Sequence, residues 1–219
     1  MDLYDVVRMP LATTVVTPAR FAQGLTYADF VTQATINHDK FEKSYQSVPL
    51  TEEDLAFFRK AAAQPHGPAK ILALAEAWCG DVYRELPTLA RIAEATGMDL
   101  RVFPRDENPD IMDEFLSNNG KSRAIPVFVF YTADLQYITR FVERSTSAHA
   151  GLAAAMDEAR AKLGLPITAT FGNLPDADRQ GFLREVIARI QPHSNQWRKD
   201  AILEIRELLA TALKIPNAG

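Results

Sequence analysis

One short segment of the sequence has residue types and a spacing that could do chemistry. Residues 77–83 read AWCGDVY and contain Cys79, the single cysteine of the chain. An apolar run precedes Cys79 and a helical pattern follows it, so the thiol is predicted to lie at a helix start. There, unpaired backbone N–H groups and the positive end of the helix dipole favour the thiolate, which is the nucleophilic form. We therefore expect Cys79 to be partly exposed and reactive, with a lowered pKa; the alternative is an inert cysteine packed as a small hydrophobic residue.

The spacing limits this chemistry to one sulfur atom. Val82 stands where a second cysteine would complete a Cys-x-x-Cys pair. In a dithiol enzyme the second cysteine attacks the mixed disulfide and releases the reduced substrate. A mixed disulfide at Cys79 would therefore need another molecule to resolve it, such as glutathione, bacillithiol or a partner protein. General dithiol reductase activity is not expected.

Charged residues near the cysteine have two interpretations each. An ionised carboxylate at Asp81 would oppose thiolate formation and partly offset the helix effect. Alternatively, Asp81 caps the helix, since aspartate is a favoured cap, and this role is the preferred interpretation. The segment 105–108, RDEN, follows the second predicted strand and is either a functional loop or, as we favour, a cluster of helix-start residues.

The segments before the cysteine are predicted to be largely helical. Residues 1–24 show no clear period and are predicted to be irregular. Thr26 and Thr51 are predicted to cap two helices, because each is flanked by a pair of apolar residues at hydrophobic-staple positions, and acidic residues follow Thr51. Residues 64–68, QPHGP, then break the helix.

From Lys70 the pattern changes to alternating strands and helices. The apolar run at residues 71–75 is typical of a strand buried on both faces. The order strand, helix, strand, helix, hairpin, helix predicts an α/β fold in which a parallel crossover is followed by antiparallel strands. The predicted elements after the first strand are a helix at 83–96, a strand at 100–103, a helix at 109–118, strands at 125–131 and 137–142, and a helix at 147–163.

This element order, with Trp78-Cys79-Gly80 between the first strand and its helix, resembles the thioredoxin family. Pro87, eight residues after the cysteine, stands where thioredoxins carry a helix-kinking proline, and Pro126 matches the position of the family's cis-proline. The AEAWCGD stretch, followed later by RDEN, is similar to a bacterial branch described only as thioredoxin-like. The resemblance covers residues 70–163 and implies a thioredoxin-like fold.

The resemblance also implies a binding groove around the thiol. In thioredoxin-like proteins the cis-proline lies against the active cysteine, and the backbone of the preceding residue, here Ile125, pairs with an extended substrate. The family's buried acid six residues before the cysteine is replaced here by Ala73. Two functions follow: a monothiol redox protein that forms mixed disulfides with a small thiol or a protein, or a non-catalytic module that binds a peptide in the groove. The residues implied to contact the substrate beside Cys79 are Trp78, Gly80, Asp81, Ile125 and Pro126.

The chain is predicted to consist of three segments. Residues 1–68 form an N-terminal helical extension packed on the core, residues 69–165 the thioredoxin-like core, and residues 166–219 a C-terminal helical extension. The C-terminal segment is predicted to be a helical hairpin, and its apolar stripe at 197–209 is compatible with a homodimer.

Composition and charge argue against several other classes of protein. The chain is 47% hydrophobic and 24% charged, as in soluble globular proteins. Its net charge of −4, without long charged runs, argues against nucleic acid and anionic membrane surfaces as partners. It has neither a secretory signal pattern nor an apolar run of about 20 residues, so a cytoplasmic location is expected. The four histidines are scattered without ligand spacing, and neither a metal nor a bound cofactor is expected.

Overall fold

The structure is a computed structural model that describes residues 14–217. A short 3-10 turn at Gln191–His193 precedes the last helix. The elements, in chain order, are α1 Pro18–Phe21, α2 Tyr27–Gln33, α3 His38–Gln46, α4 Glu52–Ala62, β1 Lys70–Ala75, α5 Gly80–Thr96, β2 Asp99–Pro104, α6 Pro109–Glu114, β3 Val127–Tyr131, β4 Tyr137–Val142, α7 Thr146–Leu163, α8 Asp176–Ile190 and α9 Ser194–Leu213.

The strands of the described chain form one mixed sheet in the order β2-β1-β3-β4. β1 runs parallel to β2 and antiparallel to β3, and Ile71 of β1 lies opposite Leu100 on one side and Phe130 on the other. β3 and β4 form the predicted antiparallel hairpin. A parallel pair needs a long crossover connection, and α5 supplies it between β1 and β2. The predicted thioredoxin-like α/β fold is confirmed.

The central strand β1 ends four residues before Cys79 and fixes the position of the loop that contains it. All residues from Ile71 to Ala75 are fully buried, as the uninterrupted apolar run predicts for a strand covered on both faces. The chain leaves the carboxyl end of β1, makes a turn in which the Cys79 N–H donates to the Glu76 carbonyl at 3.0 Å, and enters α5 at Gly80. The thiol therefore lies at the junction of a buried strand and the helix that covers it.

Helix α5 begins three residues earlier than predicted. Gly80 and Asp81 are weak helix formers, so the pattern alone places the start at residue 83. Gly97 ends the helix as predicted, because it adopts the left-handed conformation with φ 77° that glycine tolerates best. Pro87 lies inside the helix, as the resemblance implies.

The N-terminal helices confirm the predicted caps and add two elements. The Thr26 side chain accepts from the Asp29 N–H at 3.1 Å, and Thr51 forms a complete capping box with Asp54. Helix α1 falls within the segment that was predicted to be irregular, and residues 1–13 of that segment lie outside the described residues. Helix α3 was not predicted, because its mostly polar sequence has a single buried residue, Phe41.

The chain forms two compact units. The first runs to Glu143 and resumes at Ile202; the second is Arg144–Ala201. In the first, the Arg206 guanidinium donates to Asp54 at 2.7 Å and to Glu53 at 3.1 Å, which joins the C-terminal segment to α4. The predicted segment boundaries after residues 68 and 165 stay predictions.

The second unit has a small helical core of its own. Its buried side chains come from α7, α8 and the loop between these helices, and Phe182 and Phe171 are in aromatic contact with centroids 5.0 Å apart. The apolar stripe on which the homodimer expectation rests is buried in the single chain: Trp197 is 8% exposed, and Ala201, Ile205 and Leu209 are at most 1% exposed. These four residues are therefore buried within the described chain, and the homodimer stays a prediction.

Candidate functional site

Cys79 is the N-cap residue of α5. Its backbone is extended, with φ −80° and ψ 128°, and its side chain makes no capping hydrogen bond to the helix. The thiol instead donates to the Ile125 carbonyl, with 3.6 Å between sulfur and oxygen. The residue is partly buried. The sulfur therefore lies at the helix start predicted from the sequence, in contact with the loop before β3.

The loop before β3 contains the predicted proline. The Ile125–Pro126 peptide bond is cis, and Ile125 is 5% exposed. The Pro126 carbonyl accepts from the Glu143 N–H at 2.7 Å, which joins this loop to the end of β4. The structure thus brings Cys79, Ile125 and Pro126 together, although 46 residues separate the cysteine from Ile125.

Apolar side chains occupy the two positions that a dithiol site would need. Val82 and Ala73 are both fully buried, the first in α5 and the second in β1. The Val82 side chain can neither form a disulfide nor attack one, and the Ala73 methyl group can neither accept nor donate a proton. The resolving chemistry of a dithiol enzyme is therefore missing from the site.

Asp81 does not have the capping role that we favoured. Cys79 is the N-cap residue, and Asp81 lies in the first turn of the helix, 6% exposed. Its carboxylate forms an ion pair with Arg84, three residues further along the helix. The Arg84 guanidinium also lies 3.9 Å from the Glu85 carboxylate. Arg84 therefore offsets the charge of Asp81, and it lies between two carboxylates in the first turns of α5.

The loop after β2 lies in the site, contrary to our preference for a helix-start role. The Arg105 guanidinium stacks over the indole of Trp78, which is 51% exposed, at 5.1 Å from the ring centroid. The Asp106 N–H donates to the Glu76 carboxylate at 2.8 Å. Burial raises the pKa of that carboxyl group, and the Asp106 N–H opposes the effect. Asn108 does precede α6 as its N-cap residue, but its side chain does not cap the helix.

Arg105 also connects two of the loops that surround the thiol. It donates from its guanidinium to the Arg123 carbonyl at 3.2 Å, just before Ile125 and Pro126. Its position could have been found from the sequence, because the carboxyl ends of the parallel strands β1 and β2 meet at the same edge of the sheet.

Helix α3 and its N-cap residue supply three contacts that the sequence did not reveal. The Asn37 side chain donates to the Ala77 carbonyl at 2.9 Å and so holds the loop before the thiol. The Phe41 ring packs edge-on against Tyr83 with centroids 6.3 Å apart, and the Lys40 ammonium lies 4.9 Å from the centroid of the same Tyr83 ring. The spacing of four residues between Cys79 and Tyr83 could have indicated that they share a helix face.

Residues 14–217 contain neither a candidate metal centre nor a candidate membrane-spanning helix. No group of three or more His, Cys, Asp or Glu side chains in that range is arranged to hold a metal ion. None of the helices there is long and apolar enough to cross a membrane.

A family model described as thioredoxin matches residues 24–159, which is more than half of the chain. The chain belongs to the thioredoxin family. A structure of a Pseudomonas aeruginosa protein of unknown function is similar, with 16% identity and a TM-score of 0.50 over 87% of this chain and 98% of that one. A structure of an HIV epitope scaffold is similar with 18% identity and a TM-score of 0.52, over 80% of this chain and 98% of that one. These likenesses show the fold alone, and no curated protein matches the sequence.

Proposed function

We propose that this thioredoxin-family protein is a monothiol redox protein. In this proposal Cys79 forms mixed disulfides with a low-molecular-weight thiol, such as glutathione or bacillithiol, or with a protein. The observation that carries the proposal is the position of the sulfur, at the uncapped start of α5 and 3.6 Å from the carbonyl that precedes the cis-proline. A sulfur at this position has a helix start to stabilise its thiolate and a loop backbone beside it to receive a substrate.

The reaction has two steps that balance without a second cysteine. The Cys79 thiolate attacks one sulfur of a disulfide RS–SR, so that a Cys79–SR bond forms and RS⁻ leaves and takes a proton from water. A second thiolate RS⁻ then attacks the R-group sulfur of the mixed disulfide, so that RS–SR re-forms and Cys79 leaves as a thiolate. Buried Val82 and Ala73 support this external resolution, because neither side chain offers a thiol or an acid.

The proposal is tested by the intact mass of the protein after incubation with disulfides. The reduced wild-type protein is incubated separately with glutathione disulfide and bacillithiol disulfide at neutral pH. We expect one adduct per chain with at least one of them, reversed by the matching thiol, and none on Cys79→Ser. Failure of native Cys79 to react with either disulfide, while the unfolded chain reacts readily, would contradict the proposal.

One observation favours a second function, a peptide-binding module without redox chemistry. Trp78, next to Cys79 in the chain, is 51% exposed and lies against Arg105, so an apolar surface is available near the thiol. In this alternative Cys79 is vestigial and an extended peptide pairs with the loop backbone. Binding of a partner would then survive Cys79→Ser, and loss of binding in that variant would reject the alternative.

The remaining parts of the proposal concern location and partners. A bacterial cytoplasm fits a protein whose single cysteine has to be reduced before it can react. The net charge of −4 supports partners other than nucleic acid or an anionic membrane surface. A homodimer stays a prediction, and the molar mass in solution tests it.

A further inference from the structure

The hydroxyl group of Tyr83 lies at the start of the helix that carries the thiol. A Cβ atom built on Gly80 would lie 3.6 Å from this oxygen, so the phenol folds back over the glycine next to Cys79. Side chains on a helix point toward its N-terminus, which directs a residue four positions after the N-cap to that end. The Tyr83 N–H also donates to the Cys79 carbonyl at 3.3 Å.

The phenol stays protonated at neutral pH. Burial raises the pKa of Tyr83, and negative charge at Cys79 raises it further. The ring is held from the α3 side by Phe41 and by the Lys40 ammonium. Because the hydroxyl keeps its proton, that proton can be donated to a nearby acceptor.

The two protonation states of Cys79 need different partners. As a thiol, the sulfur donates to the Ile125 carbonyl, an interaction that favours the protonated form. As a thiolate, the sulfur can only accept hydrogen bonds, and the partial negative charge of that carbonyl then repels it. A hydrogen-bond donor on another side of the sulfur therefore favours the thiolate.

We propose that the Tyr83 hydroxyl is this donor, and that it hydrogen-bonds the Cys79 sulfur whenever the sulfur is a thiolate. This inference rests on the proposed monothiol function and deepens it. The bond acts twice in the reaction: before Cys79 attacks a disulfide, and again when Cys79 leaves from the mixed disulfide. Tyr83 thereby provides polar assistance in a site where Val82 and Ala73 provide none.

Lys40 has a supporting role in the same proposal. Its ammonium lies over the face of the Tyr83 ring, where a cation attracts electron density and makes the hydroxyl a better donor. Other charged groups lie on the elements that surround the thiol. They include the Asp81–Arg84 pair and Glu85 of α5, Glu76 in the loop after β1, the Arg105–Asp106 pair in the loop after β2, and Glu143 in the loop after β4.

The test compares the pH dependence of Cys79 alkylation by iodoacetamide in three proteins. Tyr83→Phe removes the hydroxyl and keeps the ring against Phe41 and under Lys40. We expect the midpoint of the alkylation profile to rise by about one pH unit in this variant, because a hydrogen bond to the charged form is lost. Tyr45→Phe is the matched control, since the Tyr45 hydroxyl bonds Glu94 at 2.6 Å, and its midpoint should equal that of the wild type.

A second variant and a second readout keep the test decisive. Lys40→Met should raise the midpoint in the same direction by a smaller amount. The ultraviolet absorbance of the thiolate should give the same midpoints without a chemical reagent. A midpoint that is unchanged in Tyr83→Phe, while wild-type Cys79 forms mixed disulfides, overturns the inference and leaves the proposed function standing. A raised midpoint in a protein that forms no mixed disulfide supports the hydrogen bond and rejects the function.

Discussion

The helices α4 and α5 begin in opposite ways. At α4, the Thr51 side chain accepts from the Asp54 N–H at 3.1 Å, and the Asp54 carboxylate accepts from the Thr51 N–H at 3.0 Å. At α5, the N-cap residue is Cys79, whose side chain caps nothing and turns to the Ile125 carbonyl. The two helices lie in the same compact unit, which therefore contains one helix start with a side-chain cap and one without.

The difference separates a helix start used for stability from one used for chemistry. A side-chain cap satisfies N–H groups that would otherwise have no partner, and it contributes about 1 kcal/mol. The start of α5 forgoes that contribution. The positive end of its dipole then favours the thiolate form of Cys79.

The largest loss of stability is expected from breaking the ion pair that joins α4 to the C-terminal segment. Arg206→Met leaves the Asp54 carboxylate, which is 7% exposed, without its cation. Breaking a buried ion pair in this way should lower the free energy of unfolding by about 3 kcal/mol. Denaturant unfolding measures the change. The matched control is Arg59→Met on the same helix, whose 3.8 Å pair with Glu52 is exposed and should contribute less than about 0.5 kcal/mol. Equal losses in the two variants would refute this account of α4.

The titration of Asp54 should make the capped helix start sensitive to acid. Burial alone would raise the pKa of Asp54, but hydrogen bonds from Thr51 and Arg206 outweigh burial and lower it. A pKa that is lower in the folded state stabilises the protein above the unfolded value of about 3.9, and this stability is lost as pH falls through the folded value. We expect Asp54→Asn to reduce the slope of stability against pH in this acidic range. An unchanged slope would contradict the assignment.

The cap itself should have a smaller effect. Thr51→Ala removes the oxygen that accepts from the Asp54 N–H and should lower the free energy of unfolding by about 1 kcal/mol. Urea denaturation of the variant and the wild type gives the difference. A neutral result would mean that Asp54 and Arg206 hold this helix start without Thr51.

The smallest change in the free energy of unfolding is expected at α5, and it is an increase where the changes at α4 are decreases. Cys79→Ser places a favoured capping residue at the uncapped start and should raise the free energy of unfolding by a few tenths to about 1 kcal/mol, while it abolishes mixed-disulfide formation. The same urea experiment detects this change. Destabilisation of the serine variant would indicate that the cysteine has a packing role.

The approximate starts of both helices could be predicted from the sequence, because capping residues and apolar runs are local signals. Thr26 and Thr51 stand directly before their helices, and the apolar run of β1 predicts a buried strand. The position of Cys79 follows from the change of pattern at that point. The cis-proline came from the family resemblance rather than from any local signal.

The contacts that complete the site could not be predicted in the same way. Lys40 lies on α3 and Asn37 is its N-cap residue, and this polar helix has a single buried residue that gives no clear apolar period. Arg105 reaches Trp78 through the pairing of β1 with β2, which is a tertiary arrangement. Asp81 is a good cap in isolation, but the helix starts at Gly80 and Arg84 is available as its partner. In each of these cases the side chain's position depends on a contact with a distant segment or on a competing partner, which the local sequence does not show.

The central claim is that the start of α5 is a reactive thiol site and more than an exposed helix start. It is tested most directly by moving the thiol to the other helix start, with Thr51→Cys in a Cys79→Ser background, and comparing alkylation profiles with the wild type. We predict a midpoint for wild-type Cys79 below the ordinary thiol value of about 8.5, and about one pH unit below that of the transplanted thiol. Equal midpoints, or a higher midpoint for Cys79, would contradict the account.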